Sequence, residues 1–391
     1  MIRIICVCGA RPNFMKTAPL IEALRRDGSF DVRLVHTGQH YDQRMSGQFF
    51  TELGMPKPDI NLEVGSGSHA VQTATIMTRF EPVCESFDPH WVLVVGDVNS
   101  TIACALVAAK RGIRVAHVEA GLRSFDRTMP EEINRILTDS ISDLLFVTEA
   151  DAVQNLTREG IDTERIHHVG NVMIDTLMAH RERGNATGIV KRLGLKAKQF
   201  GVVTLHRPAN VDDTDTLMPI LQALSEISTE LPLVFPVHPR TLGTLRRIDG
   251  KLAGMRIVEP LGYLEFLGLL DGAAVVLTDS GGIQEEATVL GVPCITMRKN
   301  TERPVTITQG TNHLAGTSRE GIRKAYDKAR KQPARENRIP PFWDGHAAER
   351  IVEILRDVSR QPNALSAPVR SIATNGQSNV TKASLERTQP V

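Results

Sequence analysis

The stretch AHVEAGLRSFDRTMPEEINR, residues 116–135, starts as an apolar strand, ends as a helix and carries three arginines and four carboxylates on the way. Asp97 closes an earlier strand-like run, WVLVVGD. Carboxylates gathered on neighbouring strand-to-helix connections are the material of general acid and base catalysis. Crowding raises the pKa of at least one of them, so that it can hold a proton and give it up. Arg123, Arg127 and Arg135 keep such a cluster from being purely repulsive.

Other segments carry the chemistry of anion binding. In GARPNFMK, Gly9 permits a tight turn, Pro12 sets the chain entering a helix, and Arg11 and Lys16 place two cations near that helix's N-terminus. The alternative for this segment is a solvated basic turn. TLHRPAN ends a later strand with His206, Arg207 and Asn210, and PVHPR ends the next with His238 and Arg240. In LTDSGGIQEEA, the small residues Ser280, Gly281 and Gly282 lie between strand and helix, where a diphosphate can reach backbone N–H groups at the positive end of the helix dipole. Glu285 and Glu286 are expected in the first turn of that helix. One complements the dipole, and the other is free to accept both hydroxyls of a ribose. RKNTERP adds Arg298, Glu302 and Arg303.

The elements that must position these residues alternate along the chain. IRIICVC, DVRLVHT, WVLVVGD, RVAHVEA and DLLFVTE read as strands, with helices such as MKTAPLIEALRR and STIACALVAAKRG between them. FGVVTLH, LPLVFPVH, RIVEP, AAVVLTD and VPCITMR restart the pattern. Strand–helix alternation predicts parallel sheets covered on both faces. The expected fold is therefore α/β, with two Rossmann-like domains, 1–170 and 171–344. A helix over 345–358 packs back across the boundary, and 359–391 forms a disordered tail without apolar periodicity.

Composition excludes several classes of function. Across 391 residues, 46 Lys plus Arg nearly cancel 45 Asp plus Glu, so no broad basic field awaits nucleic acid or anionic lipid. The five cysteines sit mostly in apolar runs, as buried thiols of a reducing compartment do. No zinc spacing, signal-peptide core or membrane-length apolar run is present, which predicts a cytoplasmic protein. GSGSHA at 65–70 imitates a dinucleotide fingerprint, but it follows a weak strand and lacks the acidic residue at the expected distance. Asp213 of the segment DTD reads as a helix cap rather than a metal ligand. No metal or cofactor is expected.

The motifs GARPNFMK, GDVNST, HVEAGLRS, MPEEINR, HRPAN, DSGGIQEEA and TERP occur in that order. Together they resemble the non-hydrolysing UDP-N-acetylglucosamine 2-epimerases over about residues 1–358. The resemblance implies a GT-B-like pair of domains facing across a cleft, and reversible conversion of UDP-GlcNAc to UDP-ManNAc by a homodimer without NAD or metal. Carried over by motif, Arg11, Lys16, His206, Ser280, Gly281, Gly282, Glu286 and Arg303 would hold UDP. Asp97, Glu119, Glu131, Arg135 and His238 would face the sugar.

The chemistry so implied accounts for the carboxylates. No carbonyl acidifies the C2 hydrogen, but loss of UDP together with that proton gives a 2-acetamidoglucal. Re-addition with protonation on the other face gives the epimer, and this requires an acid, a base and cations for the departing diphosphate. Asp97 and Glu119 are the leading pair, Glu131 is third, and Glu132 is read as a solvated or helix-terminal acid. A hydrolysing epimerase and an epimerase of a modified UDP-GlcNAc are the alternatives. Some bacterial relatives activated by a second substrate molecule carry a QHRxM-like segment and HRREN. QHYDQRM and HRPAN here predict absent or altered activation.

Overall fold

The computed structural model describes residues 1–39, 52–237, 239–245, 254–331 and 339–360, the side chains of Arg11, Pro12, Pro239 and Arg240 excepted. The first sheet contains β1 (Ile2–Cys8), β2 (Phe30–His36), β3 (Ile60–Asn61), β4 (Trp91–Val95), β5 (Arg114–Ala120), β6 (Leu144–Val147) and β7 (Ile166–His168). The second contains β8 (Gly201–Thr204), β9 (Leu233–Pro236), β10 (Met255–Val258), β11 (Val275–Thr278), β12 (Cys294–Thr296) and β13 (Asn312–Leu314).

The strand orders are 3-2-1-4-5-6-7 and 10-9-8-11-12-13, and every pairing among the described residues is parallel. Each sheet is thus doubly wound, as expected for a GT-B-like α/β chain. Each has a switch point, between β1 and β4 and between β8 and β11, where connections leave in opposite directions and open a crevice. All five residues of β4, WVLVV, are buried, which is why its apolar run does not alternate. β7 and β13, read IHH and NHL, have no such run, and the sequence pattern misses both.

Two connections join the sheets. The helix Val172–Ala186 packs on both Arg11–Asp27 and Tyr263–Gly272. Later the chain returns: the Trp343 indole donates to the Thr148 carbonyl at 2.9 Å, and the helix Ala347–Arg360 packs on Arg11–Asp27. Asp175 of the first connection accepts from the amides of Ala347 and Ala348, at 3.2 and 2.7 Å, and so caps the returning helix. Residues 359 and 360, expected in the tail, belong to this helix, and the Ser359 hydroxyl accepts from the Trp91 indole at 2.9 Å. Residues 361–391 lie outside the described residues. No helix among the described residues is long and apolar enough to cross a membrane.

Candidate active site

At the first switch point Gly9 follows β1, and a Cβ there would fall 2.0 Å from Ser100 Oγ. Only glycine allows that approach. The helix Arg11–Asp27 starts immediately, and Asn13 ties its first turn to β4 by donating to the Val95 carbonyl at 2.9 Å. One turn further, Lys16 Nζ lies 2.5 Å from Glu119 Oε2.

Glu119 is placed by a distortion of its strand. The β5–β6 register shifts between Val118 and Ala120, and Glu119 has φ 69°, a left-handed conformation that a non-glycine residue adopts only when its surroundings impose it. A buried network supplies that constraint. Asp139 accepts from the Gly121 amide at 3.1 Å, while its other oxygen lies 2.6 Å from His117 Nδ1. His117 Nε2 in turn meets the Gly96 carbonyl at 2.8 Å, and Arg123 reaches Asp139 at 2.7 Å. Burial opposes ionisation of Asp139, but His117 and Arg123 outweigh it and hold the carboxyl below its usual range.

Asp97, two residues past β4, is bonded by the Arg135 guanidinium, which also bonds Glu132. Here two expectations are corrected. Glu131 is exposed on the helix Pro130–Ile141 and outside the cluster, whereas Glu132 is buried and accepts from the amides of Ser124 and Phe125 at 3.0 and 2.9 Å. Successive helical residues point about 100° apart, and the inward direction falls to the second glutamate. Nor do Asp97 and Glu119 raise one another's pKa into proton-holding range. Burial pushes both up, but Arg135 and Lys16 at Asp97, and Lys16 and Arg303 at Glu119, prevail and keep both lowered.

At the second switch point Ser280 occupies the N-cap position of the helix Gly281–Leu290, with Gly281 and Gly282 inside its first turn. Glu285 and Glu286 therefore lie beyond that turn, and neither complements the dipole as expected. Both are buried. Glu285 accepts from Arg303 Nε at 2.6 Å, and Arg303 Nη2 donates to Glu119 at 3.0 Å, joining the two switch points. Arg303, expected to hold UDP, here bonds carboxylates of the chain itself. Glu286 accepts from the Tyr263 hydroxyl at 3.3 Å, and burial pushes its carboxyl up to about 8.

Met15 and Met173 meet His206, Tyr263, Phe266, Ser280 and Glu286 around a cavity of about 320 Å³. His206 Nδ1 lies 2.8 Å from Asp279, which also accepts the Arg207 amide at 3.0 Å. An apolar cavity with a carboxyl, a hydroxyl and an imidazole on its wall suits a heterocycle joined to a ribose. His238, the Arg11 side chain and the segment 40–51, with most of QHYDQRM, lie outside the described residues. No cluster of three or more His, Cys, Asp or Glu able to hold a metal occurs among the described residues.

Lys16, Glu119, Arg303 and Glu285 thus form one chain of contacts and Asp97, Arg135 and Glu132 a second, while His206, Ser280, Gly282 and Glu286 line the cavity. Gly281 stands beside Arg303, its site for a Cβ 3.5 Å from the guanidinium carbon. Sequence reasoning missed Asp139, Asp279, Tyr263 and Glu149. Asp279 stands inside the motif DSGGIQEEA without being singled out, and Asp139 follows no motif; the partners of both, backbone amides and side chains alike, are brought together by the fold.

Residues 22–356 match the family described as UDP-N-acetylglucosamine 2-epimerase. The chain is 41% identical over 367 residues to the UDP-N-acetylglucosamine 2-epimerase of Methanococcus maripaludis, covering 91% of this chain and 98% of that one. It is 42% identical over 359 residues to the UDP-2,3-diacetamido-2,3-dideoxy-D-glucuronate 2-epimerase of Pseudomonas aeruginosa, covering 90% and 99%. The crystal structure of Methanocaldococcus jannaschii UDP-GlcNAc 2-epimerase in complex with UDP-GlcNAc and UDP superposes with a TM-score of 0.84 at 42% identity, covering 91% of this chain and all of that one.

Proposed function

The chain belongs to the UDP-N-acetylglucosamine 2-epimerase family, and from that premise we propose that it interconverts UDP-GlcNAc and UDP-ManNAc by eliminating UDP and adding it back. The observation that carries this reading is Glu119, an ionised carboxylate held between Lys16 and Arg303 where the two sheets meet. In this scheme Glu119 and Asp97 work at C2, and Arg135 orients Asp97. Lys16 and Arg303 turn to the departing diphosphate, whose charge they stabilise in a site shielded from water. His206, Ser280, Gly281, Gly282 and Glu286 hold the nucleotide, together with Arg11 at the start of its helix. His238 faces the sugar. The burial of Glu119, Lys16 and Arg303 favours re-addition of UDP over capture of the intermediate by water.

The domains divide at residue 170 in this reading, the helix Val172–Ala186 opening the second. The protein is cytoplasmic and works as a homodimer. Phe125, Ile133 and Leu137 support the latter: they are 77%, 41% and 48% exposed, and the last two share one helical face. A second substrate is favoured by a specific observation, since the relative acting on the 2,3-diacetamido uronate is as similar as those acting on UDP-GlcNAc. Incubation with each nucleotide sugar, followed by proton NMR, tests the function. Free ManNAc would indicate hydrolysis, and conversion of the uronate alone would replace the substrate.

A further inference from the structure

Glu149 stands two residues past β6, on the strand next to the one that carries Glu119. Because β4, β5 and β6 are parallel neighbours in one sheet, Asp97, Glu119 and Glu149 follow one another along its carboxyl rim, where open α/β folds receive ligands. Glu149 is 2% exposed, and neither of its carboxyl oxygens has a hydrogen-bond partner among the described residues. It occupies the N-cap position of the helix Ala150–Arg158, yet its side chain accepts no bond there.

The charges that face it come from both halves of the molecule. They are Arg303 and Glu285 from the second, Glu119 from β5, and Asp151 from the first turn of the following helix. Burial pushes the carboxyl up to about 8, opposed by Arg303 and reinforced by Glu285, Asp151 and Glu119. Glu285 is the companion group. One of its oxygens is also unpartnered, and burial and Glu119 push its carboxyl up against Arg303 and Lys16. Glu302 is different: despite burial, Arg298 and Arg207 hold it far below the carboxylate range.

Arg303 connects this acid to a ligand. In the unliganded molecule its guanidinium is shared by Glu285 and Glu119. A doubly charged diphosphate entering beside Arg303 and Lys16 takes a share of both cations. The carboxyls left with less positive charge then bind protons more tightly. Resting on the nucleotide-sugar reading above, we propose that Glu149 is a proton-holding residue of this site, and that binding of a diphosphate sugar draws a proton from solvent onto it. The proton offsets part of the incoming charge and removes the repulsion between a buried carboxylate and the diphosphate.

The test is calorimetric titration of the full chain with UDP-GlcNAc, at about pH 8.5, in two buffers of different ionisation enthalpy. The uracil N3–H of the nucleotide titrates somewhat above that pH and contributes alike to wild type and variant, so the uptake that Glu149→Gln removes belongs to the protein. Wild type should take up a substantial fraction of a proton per site, and its affinity should weaken by up to about tenfold per pH unit above that range. Glu149→Gln keeps the shape of the protonated acid. It should bind at least as tightly, take up far less proton and flatten the pH profile. Binding without proton uptake in wild type would overturn the proposal. So would uptake that survives Glu149→Gln undiminished, whether Glu285→Gln or Glu286→Gln then removes it. Failure of wild type to bind UDP-GlcNAc at any pH would instead overturn the nucleotide-sugar reading, and this proposal with it.

Discussion

Arg303 donates to Glu119 at 3.0 Å from 184 positions further along the chain. The contact places a cation of the second half against the distorted strand of the first. Glu119→Gln and Asp97→Asn should each slow epimerisation by about 100-fold or more, the usual scale for a lost acid or base, while UDP still binds. Kinetics with either nucleotide sugar, alongside UDP calorimetry, check both. A variant with near-normal rate removes that residue from the chemistry.

If UDP leaves before the proton returns, the base exchanges with solvent. Epimerisation in D2O should therefore place deuterium at C2 of both sugars, read by proton NMR at equilibrium. Protium retained at C2 would exclude exchange with solvent and undermine the roles given to Asp97 and Glu119.

Glu286 makes a signed prediction for pH. Its folded carboxyl, pushed up to about 8, keeps a proton that the unfolded chain releases near its ordinary value, so the folded state binds more protons between those limits. Stability contributed by this group is complete below the unfolded pKa and declines toward pH 8, by at most about 1.4 kcal/mol per pH unit. Glu286→Gln cannot titrate. Urea unfolding of both proteins across this range should show the variant's relative stability rising with pH, and a constant difference would mean that Glu286 is ionised throughout.

Asp139→Ala strands His117 and Arg123 in the interior without their shared carboxylate. Breaking such a buried pair costs about 3–5 kcal/mol, which denaturant unfolding would detect. A loss under about 1 kcal/mol would show that the network is not what holds Glu119 in its left-handed conformation.

Leu137→Glu puts a charge on the exposed face shared with Ile133. Sedimentation should show a wild-type dimer shifted toward monomer in the variant. A dimer unaffected by the change would place the interface elsewhere.

Position was more legible than direction in this sequence. The apolar runs ending in Gly-Asp, Val-Glu-Ala and Asp-Ser-Gly-Gly mark the strand ends of both switch points, because a doubly wound sheet must bury such runs and gathers its polar residues where they stop. Which of two adjacent glutamates faces inward depends on where a helix begins. Glu131 and Glu132 exchanged their expected parts for that reason, and Glu285 and Glu286 fell beyond the turn assigned to them. Glu149 ends the run DLLFVTE as Asp97 ends WVLVVGD, but the pattern shows nothing of what distinguishes it, burial beside a distant arginine. The short edge strands β7 and β13 take their extended form from a neighbour rather than from their own residues.

The double crossing between the sheets, once at Val172–Ala186 and again between Trp343 and Ala347–Arg360, also has a mechanical meaning. A lobe tethered at one point can swivel, slide and tilt, whereas a lobe pinned at two keeps a single rotation about the line through the pins. Opening and shutting should then be one hinge stroke, bringing His206 and Lys16 together or apart in fixed proportion. Spin labels on two separate pairs of positions across the lobes should change their distances along one common coordinate, and pairs that move independently would show that one pin is loose.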